Sequence, residues 1–259
     1  MRASKRSKIN SNKDSSVTEE PKRKLPENER KKCKRKRKTQ LKEKELENFV
    51  LIEASKLSLK NKFMQYKPVT QNEKELKRRL TILINMGLQD FYCQKYAPSL
   101  NEKQSFDYIV GSEPALGKTY KWWKREAKKY LPERKSRLGT RAEYTAFLGF
   151  LIKKLISNGW SASRAWNAVC NDSSQLGNYW NNTTSSARVE PTGSREICGF
   201  FDLGNTCKLV SADKYDNEFW QFGGTAYENG FEYPLVQGFY YANVANEGFC
   251  SVGWIVLEK

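Results

Sequence analysis

A chain of 259 residues is long enough for one large domain or two small ones, and it carries a net charge of +17. Residues 1–50 hold 18 Lys and Arg against 8 Asp and Glu, residues 51–200 hold 25 against 13, and residues 201–259 hold 3 against 8. The basic part is expected to meet a polyanion, either nucleic acid or an anionic membrane surface. The absence of histidine excludes Ser-His-Asp and Cys-His nucleophiles and His-ligated metals, and therefore favours a binding protein over an enzyme.

The cysteine pattern and the apolar runs bear on compartment and cofactors. None of the six cysteines forms a C-x-x-C pair, so the spacing predicts no zinc site. The Lys/Arg-rich beginning is not followed by the apolar run of a secretory signal, and no stretch reaches the length of a membrane span. We therefore expect reduced thiols in an intracellular, cytoplasmic protein without a metal, a cofactor or a membrane span.

Residues 1–65 are predicted to be a basic, largely disordered arm that runs into a helix. The first 48 residues have almost no apolar side chains to bury, and charged residues dominate a helical pattern from Leu41 to about Lys62. The densest basic cluster favours phosphate-backbone binding to DNA or RNA, a nuclear-import-like tag, or a solubilising tail. Its members are Lys31, Lys32, Lys34, Arg35, Lys36, Arg37 and Lys38.

Residues 66–137 are predicted to be a small basic helical region. Leucines and isoleucines at three- to four-residue spacing predict a helix over 72–90, with Gly87 near its end. The Gly117-Lys118-Thr119 triplet is similar to part of a phosphate-binding loop, but Ser112 stands where that motif needs glycine. The segment 118–137 holds several aromatics among many Lys and Arg. It favours a second anion-facing surface, with its rings stacked on bases or packed on a neighbouring helix.

Residues 138–259 are predicted to be a ligand-binding α+β domain. Thr140 and Glu143 form a capping box at the start of a helix that runs to Asn158, and Ser161 begins a shorter helix to Cys170. After Val189 the pattern changes to short strands separated by Gly, Asn and Asp turns. Strand candidates lie at 197–201, 207–210, 218–222 and 252–257.

Twelve of the forty residues from Tyr215 to Trp254 are aromatic, whereas aromatic residues make up 13% of the whole chain. They are interleaved with Gly and Asn rather than spaced at the period of a core strand or helix. Large, stiff rings beside adaptable polar side chains are typical of a binding surface, although the core of a loop-rich β domain is the alternative for any single ring. The predicted ligand contacts are Tyr227, Asn229, Phe231, Tyr233, Phe239, Tyr240, Tyr241, Asn243, Asn246 and Phe249.

Three short segments, in the correct order, resemble a known family. GFFDLGN at residues 199–205 is similar to the G-L-Y-D-M-x-G-N signature of formylglycine-generating-enzyme-type C-type lectin folds, with one residue missing near Leu203. Gly223-Gly224 resembles the R-G-G-S-W segment of that family without its Arg and Ser-Trp, and 252–256 stands where its closing strand belongs. The resemblance covers about residues 138–259. It implies a C-type-lectin-like domain with two helices under a small mixed sheet, here preceded by the helical region and the basic arm.

The family includes copper oxidases and the variable proteins of diversity-generating retroelements. The oxidase uses a pair of cysteines, and only Cys250 stands in the corresponding stretch, so that chemistry is not implied. The variable proteins carry codon-randomised ligand contacts near the C-terminus, and the predicted Tyr, Phe and Asn contacts resemble these. The resemblance thus implies a non-enzymatic protein that displays a diversified surface to a protein or glycan ligand.

Two other functions stay open. One is a nucleic-acid-binding protein whose C-terminal domain is only structural, with binding by residues 1–135 that weakens steeply as salt rises. The other is an enzyme of carboxylate or cysteine type that depends on Asp202 and Cys250, although the sequence favours a turn role for Asp202, with its side chain bonded to local backbone.

Overall fold

The computed structural model describes residues 46–177, 196–201, 203, 208–215, 218–223, 231–242 and 251–259, together with Glu27. At positions 215, 218, 239–242 and 251 the description covers the backbone only. By its internal contacts the chain divides into two units, Met1–Glu43 and Lys44–Lys259, and the elements below belong to the second. Within these described ranges, no helix is long and apolar enough to cross a membrane.

Four α-helices and several short 3₁₀ turns lie within the described part of the chain. The helices are α1 (Gln71–Met86), α2 (Tyr120–Tyr130), α3 (Arg141–Ser157) and α4 (Ala162–Cys170). The predicted capping box of Thr140 with Glu143 is confirmed at the start of α3, and Ser161 caps α4 as expected. A second capping box, Thr70 with Glu73, begins α1.

The strands are short and lie in two sheets and two hairpins. They are β1 (Phe49–Ile52), β2 (Phe91–Gln94), β3 (Ser99–Leu100), β4 (Phe106–Asp107), β5 (Arg137–Leu138), β6 (Glu196–Ile197), β7 (Phe200–Phe201), β8 (Lys208–Tyr215), β9 (Glu218–Phe222), β10 (Gly238–Ala242), β11 (Ser251–Gly253) and β12 (Ile255–Glu258). The first sheet has the order β1-β2-β12-β5 and is antiparallel; the second has the order β10-β9-β8-β11, in which β11 runs parallel to β8.

Helices α3 and α4 pack beneath the mixed sheet. The ring of Tyr144 on α3 stacks on Phe222 of β9 at 3.8 Å between centroids, and both side chains are buried. The predicted α+β class is confirmed, and with it the pair of helices under a small mixed sheet.

Trp254 joins the two sheets, because it is the single residue between β11 and β12. Its backbone N–H donates to the Val210 carbonyl at 3.0 Å and its carbonyl accepts from the Gly139 N–H at 2.8 Å. The indole is 1% exposed and its Nε1–H donates to the Cys93 sulfur at 3.2 Å. Both sheets are therefore fixed to each other through one buried ring.

Two clusters of buried side chains form the core. One lies among α1, α3, α4 and Trp254, and the other surrounds Trp123 of α2. Trp123 is fully buried, and a Cβ on Gly253 would come within 2.6 Å of its ring. Helix α2 is therefore held on β11 by close ring-to-backbone packing.

The predicted helix from Leu41 to about Lys62 is wrong after Leu46, which is the last helical residue of that segment. Phe49–Ile52 form β1, which pairs with β2, and the following residues form 3₁₀ turns at Ala54–Lys56 and Lys62–Gln65. The sequence FVLI is rich in β-branched and aromatic side chains, and pairing with a neighbouring strand outweighs the local pattern of charges.

The predicted domain boundary at 137/138 falls inside the second unit. Strand β12, near the C-terminal end of the chain, pairs with both β2 and β5. Residues on both sides of the boundary thus share one sheet. Local composition does not predict this sheet, because strand pairing depends on contacts between residues far apart in sequence.

We expect Gly139→Ala to destabilise the fold by ~2 kcal/mol or more, because a Cβ there would overlap the Trp254 ring. Urea unfolding followed by circular dichroism measures this. Gly87→Ala is the control: Gly87 has φ 72° and open space around it, so only backbone strain of about 1–2 kcal/mol is expected. A Gly139→Ala protein as stable as the wild type would contradict the close approach.

We expect the stability of the fold to depend on acid pH through Asp90. Its Oδ2 accepts from Lys259 at 2.8 Å and its Oδ1 accepts from the backbone and hydroxyl of Ser55. These bonds lower the Asp90 pKa from 3.8 to about 2, with the Lys259 ammonium as the largest cause. A depressed folded-state pKa gives stability that is present above the unfolded value and is lost as the pH falls toward 2.

Asp90→Asn should therefore lose less stability than the wild type between pH 5 and pH 2.5, as measured by urea unfolding at each pH. Lys259→Gln removes the main cause of the shift and should also reduce the acid dependence, by a smaller amount. If Asp90→Asn has the same acid dependence as the wild type, Asp90 does not contribute to it.

Candidate ligand-binding surface

The segment 231–237, which we call the 231–237 loop, directly precedes β10 in the sequence and carries an exposed aromatic side chain. Phe231 is 70% exposed, Glu232 is also exposed, and Tyr233 is half-buried with the Lys208 ammonium 5.5 Å from its ring centroid. Large rings at this level of exposure are candidates for contact with a partner.

The base of this loop is fixed to the helices beneath it. Leu235 is 2% exposed; its N–H donates to the Ser173 hydroxyl at 2.8 Å, and its carbonyl accepts from the Tyr144 hydroxyl at 3.0 Å. The Val236 N–H donates to the Val169 carbonyl at 3.1 Å. Three consecutive hydrogen-bonding groups of the backbone are therefore satisfied by α3, α4 and the turn after α4.

The end of the loop is fixed to the mixed sheet. The Gly223 N–H donates to the Gln237 carbonyl at 3.0 Å. Gly238 lies against Trp220, where a Cβ would overlap the indole, and the Arg141 guanidinium lies 3.9 Å from the centroid of that indole. Phe231 thus lies next to a segment that is hydrogen-bonded both to the helices and to the mixed sheet.

The ten predicted ligand contacts are described to different extents. Phe231 is exposed and Tyr233 is half-buried. Phe239, Tyr240 and Tyr241 lie on β10, paired with Gln221, Trp220 and Phe219 of β9, and their side chains are outside the described part. Tyr227, Asn229, Asn243, Asn246 and Phe249 lie outside the described residues.

Other rings of the aromatic-rich stretch belong to the core. Phe222 and Trp254 are 3% and 1% exposed, and Phe219 and Trp220 are half-buried. The aromatic residues of the stretch are therefore of two kinds: some are buried in the core beneath the mixed sheet, and others lie in or near the 231–237 loop. The alternative that individual rings are core residues is correct for Phe222 and Trp254, neither of which was among the predicted contacts.

The cysteines with described side chains are poor nucleophiles. Burial raises the pKa of the Cys93 thiol to about 12, raises the pKa of the Cys170 thiol well above its ordinary value, and also raises that of the half-buried Cys198 thiol. A thiol of this kind is not ionised at neutral pH. Asp202 and Cys250, the residues on which an enzyme would depend, lie outside the described residues, as do the seven basic residues from Lys31 to Lys38. In the part of the chain that is described, no group of three Cys, Asp or Glu side chains could hold a metal ion.

Comparison with protein-family models and with curated proteins finds no match. Among solved structures, the crystal structure of CarF matches at 11% identity with a TM-score of 0.50, covering 66% of this chain and 88% of CarF. PvdO from Pseudomonas aeruginosa also matches at 11% identity, with a TM-score of 0.42 and coverage of 66% of this chain and 81% of PvdO. The similarity to CarF is a distant relation of fold.

We expect Ser173→Ala to release the 231–237 loop. The Ser173 hydroxyl is buried, accepts from Leu235 and donates to the Ala168 carbonyl at 2.8 Å, so its loss leaves two buried groups without a partner at a cost of ~1–3 kcal/mol. Amide hydrogen exchange should become faster at Leu235 and Val236 than elsewhere. Ser157→Ala, at an exposed hydroxyl, is the control and should leave exchange unchanged. Equal protection of Leu235 in both variants would show that the loop is held by other contacts.

Proposed function

We propose that the chain is a non-enzymatic binding protein that displays an aromatic and Asn-rich surface on a lectin-like α+β domain. The observation that carries the proposal is the combination of a 70% exposed Phe231 with a Leu235 backbone bonded on both sides to buried groups. An exposed ring on a flexible loop loses conformational entropy when it binds, whereas a ring beside a fixed segment loses less.

The surface fits a macromolecular ligand, protein or glycan, better than a small molecule. Phe231 and Glu232 are exposed rather than enclosed, while small-molecule sites are concave and bury most of their ligand. Aromatic side chains near the centre of a flat interface commonly supply most of its binding energy.

Basic residues from Lys31 to Lys38 are proposed to bind DNA or RNA and so to locate the domain. A cytoplasmic location agrees with free thiols at Cys93, Cys170 and Cys198. The alternative, a nucleic-acid-binding protein with a purely structural C-terminal domain, is favoured by the basic helix α2. Its test cannot use residues 1–135 alone, since β2 pairs with β12.

The ligand is sought by applying the full-length protein to a glycan array and to an array of purified proteins. Phe231→Ala should bind any true ligand about 30-fold more weakly, equivalent to ~2 kcal/mol, with an unchanged melting temperature. Met86→Ala removes an equally exposed apolar side chain on α1 (76% exposed) and should bind normally. A ligand that both variants bind as tightly as the wild type would place the site elsewhere.

We further propose that residues 215–254 are diversified, as in the variable proteins that the sequence resembles. The neighbouring DNA tests this: a near-copy of the codons for 215–254, differing mainly at adenines and beside a reverse transcriptase gene, is the expected finding. Its absence would leave a lectin-like binding domain with a fixed surface.

A further inference from the structure

The solvent-facing side of α2 carries five cationic side chains in one arc. Lys121, Lys124, Arg125, Lys128 and Lys129 are all exposed. With 3.6 residues per turn they fall within an arc of about 140°. The same helix contains one carboxylate, Glu126, and no Asn or Gln. We call this arc the α2 basic face.

The opposite side of α2 is buried, so the orientation of the basic face is fixed. Trp123 and Ala127 are fully buried, and the Phe106 and Tyr130 rings stack at 4.9 Å beside them. Thr119 caps the N-terminal end of the helix, and its hydroxyl accepts from the Trp122 N–H at 3.2 Å. The backbone positions of the lysines on this helix are therefore fixed relative to one another, unlike those in a flexible tail.

Glu126, the carboxylate of α2, pairs with two of the five cations of the face. Glu126 is 10% exposed at its side chain and accepts from Arg125 at 2.7 Å and from Lys129 at 2.9 Å, so it partly neutralises those two cations. Among the described residues, no carboxylate is in ion-pair distance of Lys121, Lys124 or Lys128. A positive field with little local compensation attracts polyanions.

The positive surface continues onto the mixed sheet. The Tyr120 and Phe219 rings stack at 3.8 Å between centroids. Lys124 lies 5.9 Å from the centroid of the first ring and Lys214 of β8 lies 5.8 Å from that of the second. Lys214 is exposed and therefore extends the α2 basic face across this ring pair.

The arrangement suits a phosphate backbone better than single-stranded bases. Proteins that bind single strands offer open aromatic faces on which bases stack. Here Tyr120 and Trp123 are buried, and the ring of the half-buried Trp122 has the Lys118 ammonium 5.5 Å from its centroid. The one Arg of the face, Arg125, is paired with Glu126, so the contacts available are mainly those of Lys with phosphates, which position a protein without reading sequence.

We propose that the α2 basic face, extended by Lys214, binds the phosphate backbone of double-stranded nucleic acid without sequence preference. This site consists of other residues than the basic cluster at Lys31–Lys38 and does not depend on the proposed ligand-binding surface. From Lys121 to Lys128 the helix extends about 10 Å, a length over which a duplex carries roughly six phosphate charges.

The test uses the full chain and a fluorescein-labelled 20-base-pair duplex of random sequence, followed by fluorescence anisotropy from 50 to 200 mM NaCl. The variant combines Lys121→Gln, Lys124→Gln and Lys128→Gln. The matched control combines Lys60→Gln, Lys62→Gln and Lys67→Gln, which removes the same charge from exposed positions in a segment that packs with the other core cluster.

Both triple variants are also measured in a background in which the seven basic residues of the Lys31–Lys38 cluster are replaced by Gln. In that background the α2 variant should bind about 10-fold or more weakly at 50 mM salt. The slope of log K against log salt should decrease in magnitude by about 2–3, since each lost phosphate contact removes about 0.9. The control should change affinity by less than about 3-fold with a nearly unchanged slope.

A version with Arg in place of Lys121, Lys124 and Lys128 keeps the positive charges and should bind the duplex with wild-type affinity. It checks that the loss of affinity in the Gln variant comes from lost charge and not from misfolding of α2. Phe231→Ala should also retain wild-type affinity, so failure of the ligand-binding proposal would not affect this one. Equal losses in the α2 and control variants would overturn the proposal in favour of diffuse charge. Binding to phosphatidylserine vesicles through the same lysines, with no binding to the duplex, would overturn it in favour of a membrane surface.

Discussion

The structure depends on the burial of Trp254 between two strands that belong to different sheets. The indole meets Tyr144 edge-on at 5.3 Å and Phe222 at 6.0 Å, and Tyr144 in turn holds the Leu235 carbonyl. One ring therefore couples the first sheet, the helix beneath the mixed sheet and the base of the 231–237 loop. The absence of a side chain at Gly139 is what allows the ring to lie there.

The local parts of the fold can be predicted from sequence, and the long-range parts cannot. Capping at Thr140 and Ser161 is encoded within four residues, and both caps were predicted. The α+β class also follows from the order of helical and strand patterns. The pairing of β2 with β12, and the strand character of Phe49–Ile52, depend on partners distant in sequence that no local pattern reports.

The same distinction holds for the candidate site. A high density of aromatics among Gly and Asn predicts exposed rings on loops, and Phe231 is exposed, while its role as a ligand contact stays a prediction. The residues that fix the loop are Ser173 in a polar turn and Tyr144 in an apolar helical stripe, and neither has a local signal for that role. Arg141 over Trp220 is a similar case. The exposed ring of the loop and the cations of α2 thus lie on separate elements, and the two surfaces can evolve independently.

The central position of β12 has a consequence for how the protein is made. Strand β12 lies between β2 and β5, yet it is the last strand along the chain, and Trp254 meets Cys93 across 161 residues of sequence. As the polypeptide leaves the ribosome, one edge of β2 stays unpaired until Ile255–Glu258 have been synthesised. Such a delay slows folding and exposes an unpaired edge to other nascent chains.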